Sequence, residues 1–363
     1  MLNQILRKDE LSKDDLLYLI GLESESDLEL LFKAAYEVKT RWVGRKAYYR
    51  GLIEMSNLCL KNCFYCGIRS GNHQVKRFTM SREEVLGLVA WAERNQYGSV
   101  TLQSGERNDL DFIELIDDLL SEIGQIEGGR LGVTLCLGEQ RPETYKRWRE
   151  LGAHRYLLRM ETSSPELYRR IHPADRHHDF DYRRQCLSVL KGLGYQVGTG
   201  VMIGLPGQTL ENLVDDIIFY RQMDIDMIGM GPYVVHQDTP LGRQAVADGL
   251  DSPDQRRRRL DLSLKMIALT RLYLKNVNIA ATTALQALDH LGREKGLLAG
   301  ANILMPIITS REYRRQYMLY DDKPCLDDNA DQCRHCLSGR VQAIGEEVGF
   351  GLRGDSPHYS PAA

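Results

Sequence analysis

Residues 47–66 read AYYRGLIEMSNLCLKNCFYC. The first half is an apolar and aromatic run of strand length, and three cysteines follow it directly. The far end of this strand therefore carries chemistry. Working outward, seven more short apolar runs recur, at about 98–103, 130–136, 155–160, 195–203, 226–231, 277–283 and 302–307. Longer amphipathic stretches separate them. Ser81 and Glu84 form a capping box ahead of Val85, Leu88, Val89 and Ala92, and further helices are expected over about 209–222 and 254–275. Eight alternations of strand and helix predict an α/β fold, a (β/α)8 TIM-type barrel, closed or partly open. Residues 1–45 are expected to be helical, with Ser26 and Glu29 as a capping box and Leu31, Ala34, Ala35, Val38 and Trp42 on one face. The expected organisation is a helical segment (1–45), a barrel (46–310) and a tail (311–363) whose last ten residues fray.

Composition sets the class. Apolar residues make up 43% of the 363 and charged residues 27%, which excludes a largely disordered chain. Forty-seven Lys and Arg against 50 Asp and Glu leave a net charge of -3, too little field to hold nucleic acid or an anionic membrane. No apolar run reaches the roughly 18 residues of a membrane span, and the N-terminus has no signal-peptide core, so a cytoplasmic protein is expected. There the eight cysteines should be reduced, and grouped ones are candidate metal ligands. Six of the eight fall in two triplets, while Cys136 and Cys186 stand alone.

Cys59, Cys63 and Cys66 have the spacing C-x3-C-x2-C. Three thiolates this close can ligate three corners of a 4Fe–4S cubane, leaving one iron open to bind a substrate. The competing reading is zinc, which wants four closed ligands, with His73 as the fourth. In a barrel, catalytic groups sit at the C-terminal ends of strands. That selects Gln103, Ser104 and Glu106 after strand 2, Thr134 and Glu139 on and after strand 3, and Arg159 and Glu161 on strand 4. It also selects Gly204-Leu205-Pro206-Gly207, then Tyr233 and His236, then Thr282 and Thr283.

The cysteine segment, with Tyr65 just before the third cysteine, resembles the signature of the radical S-adenosylmethionine (SAM) enzymes. That resemblance implies a 4Fe–4S cluster on Cys59, Cys63 and Cys66 that cleaves SAM reductively to a 5′-deoxyadenosyl radical. Gln103-Ser104-Gly105-Glu106 resembles the family motif that meets the methionine amino group. Glu161 resembles the acidic residue on the SAM ribose or amine, and Arg183 the partner of the SAM carboxylate. Val201-Met202-Ile203-Gly204-Leu205-Pro206 resembles the strand along which the adenine packs. Taken singly, Glu106 and Glu161 could be surface carboxylates, and Arg183 part of a solvated Arg183-Arg184 pair.

The second triplet, Cys325-x7-Cys333-x2-Cys336, lies in the tail. It reads as an auxiliary 2Fe–2S or 4Fe–4S cluster, or as zinc with His335. Long runs, among them RYLLRMETSSPELY and GYQVGTGVMIGLPGQT, are similar to the biotin-synthase-like group and, within it, to the enzymes that mature FeFe-hydrogenase. This implies action on an iron–cysteine precursor carrying CO and cyanide, a reductant such as flavodoxin or ferredoxin, and other hydrogenase maturases as partners. Thr134, Arg159, Thr282, Thr283 and Tyr320 are then candidates for holding an anionic organometallic substrate. Alternatives are an activity like that of biotin synthase or methylornithine synthase, or a non-catalytic metal-binding scaffold.

Overall fold

The computed structural model describes residues 1–126 and 130–360. Each of the eight apolar runs contains a strand. They are β1 (Lys46–Ser56), β2 (Ser99–Ser104), β3 (Gly132–Cys136), β4 (Arg155–Leu157), β5 (Gln196–Thr199), β6 (Met227–Ile228), β7 (Asn278–Ile279) and β8 (Ile303–Leu304). All pair in parallel with their neighbours in chain order, and β8 returns to β1 at Tyr48 and Ile303. A parallel bridge between Ala280 and Ile303 joins β7 to β8, so the ring closes. Beyond β5 and β6 a short second pair, Met202–Ile203 with Gly231–Pro232, extends the wall. Glycine permits this step: a Cβ on Gly200 would lie 2.1 Å from the Gly229 carbonyl oxygen.

Alternation along the strands sorts the side chains. Ile53, Val100, Leu102, Val133, Leu135 and Val197 point outward into the apolar core beneath the helices. Arg50 and Leu52, Thr101 and Gln103, and Thr134 and Cys136 point inward and line the barrel lumen. The helices follow from their caps. Ser81 and Glu84 make both bonds of the capping box, and Thr209 and Ser252 cap the helices Leu210–Gln222 and Pro253–Leu274.

Two expectations are corrected. The helix Glu25–Trp42 starts from Ser24, and neither Ser24 nor Ser26 caps a backbone N–H: the two hydroxyls bond each other at 2.8 Å. Its inward line is Leu31, Ala35 and Lys39, spaced by four, while Trp42 is exposed. Lys39 can face inward because its ammonium meets the buried Glu346 carboxylate. The tail does not fray over 354–360 either. Asp355 accepts from Arg155 at 2.5 Å and from Gln196 at 3.0 Å, and Tyr359 donates to the Gly194 carbonyl at 2.9 Å. This segment seals the N-terminal floor of the barrel because fully buried Arg155 needs a counter-charge there. Residues 361–363 lie outside the described residues.

Candidate active site

A cavity of about 300 Å³ opens at the C-terminal ends of the strands. Cys59, Cys63 and Cys66 form part of its wall. Their loop is stapled shut by Arg77, which donates to the carbonyls of Asn57, Ile68, Arg69 and Asn72. The Glu106 N–H points at Cys59 Sγ, 3.3 Å away. Gly105 makes that approach possible, since a Cβ there would sit 2.2 Å from the Leu58 carbonyl oxygen. Burial pushes the thiols up, Cys66 to about 12, so thiolates here need a metal to hold their charge.

Three soft sulfur donors on one cavity wall, one of them receiving a backbone N–H, are the donor set that would hold a 4Fe–4S cluster. A single ion would need its ligands to converge on one point. Among the described residues no three His, Cys, Asp or Glu side chains do so, and His73 is exposed.

Opposite charges interlock beside the sulfurs. Arg183 is buried, not solvated. Its Nη1 donates to Glu106 at 2.8 Å and to Glu139 at 2.7 Å, and its Nε to the Arg159 carbonyl at 2.6 Å. Lys61 donates to Glu139 at 2.7 Å. Burial pushes the Glu106 carboxyl up, but Arg183 and Lys61 outweigh it and bring it to about 2. Glu161 has φ +67°, a left-handed backbone that turns the chain at the cavity rim, and its carboxylate takes Arg159 Nη2 at 2.8 Å.

The remaining candidates divide. Gln103 donates to Tyr317 Oη at 3.3 Å, and the Ser104 hydroxyl to the Gly105 carbonyl at 2.6 Å. Tyr65 Oη lies 3.2 Å from His172 Nε2. His172 Nδ1 faces the Tyr168 carbonyl at 2.9 Å and must carry the proton, so Tyr65 is the donor. Met202, Thr282, Thr283 and Tyr320 line the cavity, and Thr282 Oγ1 is buried with no protein partner. Leu205 does not reach the cavity; it packs behind Met202 with Leu167, Ile171 and Tyr233. Thr134 lies one layer lower, in a small pocket with Arg50, Thr101 and Asn278.

Sequence reasoning missed Lys61, although it sits between two of the cysteines. Of the strap 316–323, which crosses the mouth, it singled out Tyr320 alone. Gly67 N–H bonds the Leu319 carbonyl at 2.9 Å, and Lys323 reaches buried Glu54 at 2.6 Å. Tyr317, Leu319 and Tyr320 hang from the strap into the cavity.

The second triplet is only partly assembled. Cys325 and Cys333 are neighbours, with Arg293 Nη2 3.8 Å from Cys325 Sγ. The neighbouring Cys333 thiol draws the Cys325 thiol down against its burial, and Arg293 assists. Cys336 and His335 are exposed on the helix Ala330–Ala343.

A closed parallel barrel whose first loop presents three thiols to a cavity at the strand ends defines the class of radical SAM enzymes. The sequence model of the Radical SAM superfamily matches residues 53–219. The FeFe hydrogenase maturase subunit HydE of Thermotoga maritima is 39% identical over 344 residues, covering 95% of this chain and 94% of that protein. The 3-methylornithine synthase of Methanosarcina acetivorans is 27% identical over 312 residues, covering 85% of this chain and 82% of the relative. The crystal structure of methylornithine synthase PylB aligns with a TM-score of 0.78 at 25% identity, covering 96% of this chain and 97% of that one. The chain belongs to the HydE family of hydrogenase maturases, within the radical SAM superfamily. Among the described residues no helix is long and apolar enough to cross a membrane.

Proposed function

We propose that this chain cleaves SAM reductively and directs the 5′-deoxyadenosyl radical at a small organometallic precursor of the FeFe-hydrogenase active site, an iron–cysteine complex carrying CO and cyanide. The observation that carries the reading is one cavity faced by three thiols, two carboxylate–cation groups and an unpartnered hydroxyl. Cys59, Cys63 and Cys66 would hold a 4Fe–4S cluster, which would supply the low-potential electron for SAM cleavage. Glu106, with Gln103 and Ser104 beside it, receives the methionine amino group. Arg183 turns from its two carboxylates toward the SAM carboxylate, for which its planar fork is suited. Glu161 takes the ribose hydroxyls, Tyr65 supports the cysteine loop, and Met202, backed by Leu205, packs on the adenine.

Arg159, Thr282, Thr283 and Tyr320 hold the anionic precursor, and Thr134 closes the space beneath it. The strap excludes water, which keeps a reactive radical next to one target. Cys325, Cys333 and Cys336 form an incomplete ligand set for an auxiliary cluster that the reaction does not need. Residues 46–310 act as the catalytic barrel, with 1–45 and 311–363 as flanking supports. Eight free cysteines favour a reducing, cytoplasmic setting with a low-potential reductant and the other maturases.

The test is electron paramagnetic resonance on anaerobically reconstituted, dithionite-reduced protein. A 4Fe–4S signal that changes on adding SAM, release of 5′-deoxyadenosine, and activation of apo-hydrogenase alongside the other maturases are expected. Bound zinc without a cluster signal would sink the radical reading. SAM cleavage without hydrogenase activation would move the substrate toward those of biotin synthase or methylornithine synthase.

A further inference from the structure

Four charged side chains meet beside the cysteines, and two of them, Lys61 and Glu139, have no part in the reaction proposed above. Glu106, Arg183 and Lys61 line the cavity. Glu139 stands behind them, yet it holds both cations. Its Oε1 accepts from Arg183 Nη1 at 2.7 Å and its Oε2 from Lys61 Nζ at 2.7 Å. Its backbone N–H donates to Glu106 Oε2 at 3.1 Å. Gly138 permits that approach: its φ is +78°, and a Cβ there would lie 2.1 Å from Glu106 Cγ. A single residue just beyond β3 thus ties together the cysteine loop, the loop after β2 and the helix Phe180–Gly192 that carries Arg183.

We propose that Glu139 is a positioning residue, which with Lys61 keeps Glu106 and Arg183 exchangeable for the two charged ends of an α-amino acid group. This rests on the SAM-cleaving reading above. The four side chains are two acids and two cations, so the group is neutral. Their exposures run only from 8% to 18%, so solvent ions are poor substitutes for a lost partner. Lys61 Nζ lies 2.7 Å from Glu139 but 3.7 Å from Glu106. Glu139 therefore draws Lys61 off Glu106 and leaves Arg183 as the one cation at hydrogen-bond distance there.

An arriving ammonium then has a single cation to displace from Glu106. When Arg183 turns to the carboxylate of the same ligand, Lys61 stays on Glu139, and no buried charge is stranded. Exchanging partners inside a neutral group costs far less than baring one buried ion. Loss of one member breaks this balance. With Glu139→Gln, Lys61 and Arg183 both fall on Glu106, and the ammonium must compete with two cations. With Lys61→Met, Glu139 has no cation once Arg183 leaves, so Arg183 is held back. Removing both restores neutrality.

The experiment measures SAM binding to reconstituted, oxidised enzyme by anaerobic equilibrium dialysis, with iron per chain determined for each variant. Glu139→Gln and Lys61→Met should each weaken SAM binding about tenfold, and the double variant should bind more tightly than either. With dithionite as reductant, each single variant should raise KM for SAM about tenfold while kcat stays within about twofold. Lys61→Arg, which keeps the cation, should bind SAM within about threefold of the unmodified enzyme. Unchanged affinity in both single variants would overturn the positioning role. Losses that simply add in the double variant, or a tenfold loss in Lys61→Arg at full iron content, would overturn the charge exchange, since Glu139 would then only prop the loops. Failure of the unmodified enzyme to bind SAM at all would instead sink the SAM reading itself, a result distinct from equal affinities.

Discussion

Glu54 stands on β1 at 2% exposure, and Lys323 reaches it from the strap, 269 residues later. Burial pushes the Glu54 carboxyl up even with the ammonium in place. Lys323→Met would leave that charge alone in the barrel mouth. A loss of about 3–5 kcal/mol is expected in urea unfolding, most of it recovered when Glu54→Gln is added. Asp216 gives a pH prediction. It accepts the Ser163 N–H at 2.6 Å, two residues beyond Glu161, while its second oxygen has no partner. Burial raises its carboxyl from 3.8 to about 7. The folded state therefore holds this proton more tightly than the unfolded chain. The resulting stability is full below about pH 4 and is lost as pH rises through about 7. Between pH 5 and 8 the protein should lose about 2–3 kcal/mol that Asp216→Asn, which keeps an acceptor for Ser163, does not lose. Parallel pH profiles of the two would contradict this assignment.

At the scale of elements, the site depends on how closely the cysteine loop and the loop after β2 approach each other. Only Gly105 lets them touch: an added Cβ would stand 2.2 Å from the Leu58 carbonyl oxygen and 2.8 Å from Cys59 Cβ. Backbone cannot yield as a flexible side chain can. Gly105→Ala should therefore part the loops and break the Glu106 N–H contact with Cys59. Iron per chain after reconstitution should fall severalfold while far-ultraviolet circular dichroism keeps its shape. Full iron loading in the variant would show that the two loops are not coupled.

Across the whole molecule, the barrel is closed at both ends by the C-terminal tail. The strap covers the catalytic mouth, and residues 353–360 cover the floor through Asp355, Arg155 and Gln196. Truncation after Leu352 would strip buried Arg155 of its counter-charge. It should cost about 3–5 kcal/mol, read as a lowered unfolding midpoint, although no residue of the catalytic mouth is removed. An unchanged midpoint would mean that the floor closes without the tail.

What the sequence determined by itself was local. Apolar runs of strand length, their caps and the spacing of Cys59, Cys63 and Cys66 are properties of neighbouring residues, so the barrel class and the first site were legible in them. Glu106, Arg159 and Glu161 were legible because strand ends in a barrel share one face. Burial decided what the sequence left open: Arg183, one of two adjacent arginines, is the one that turns inward onto Glu106 and Glu139. The pairs Glu54–Lys323, Lys39–Glu346 and Arg155–Asp355 lie 269, 307 and 200 residues apart. No periodicity encodes such partners. Each exists because packing on or within the barrel buries one charge and the returning C-terminal segment supplies the other, and that is decided only when the whole chain has folded.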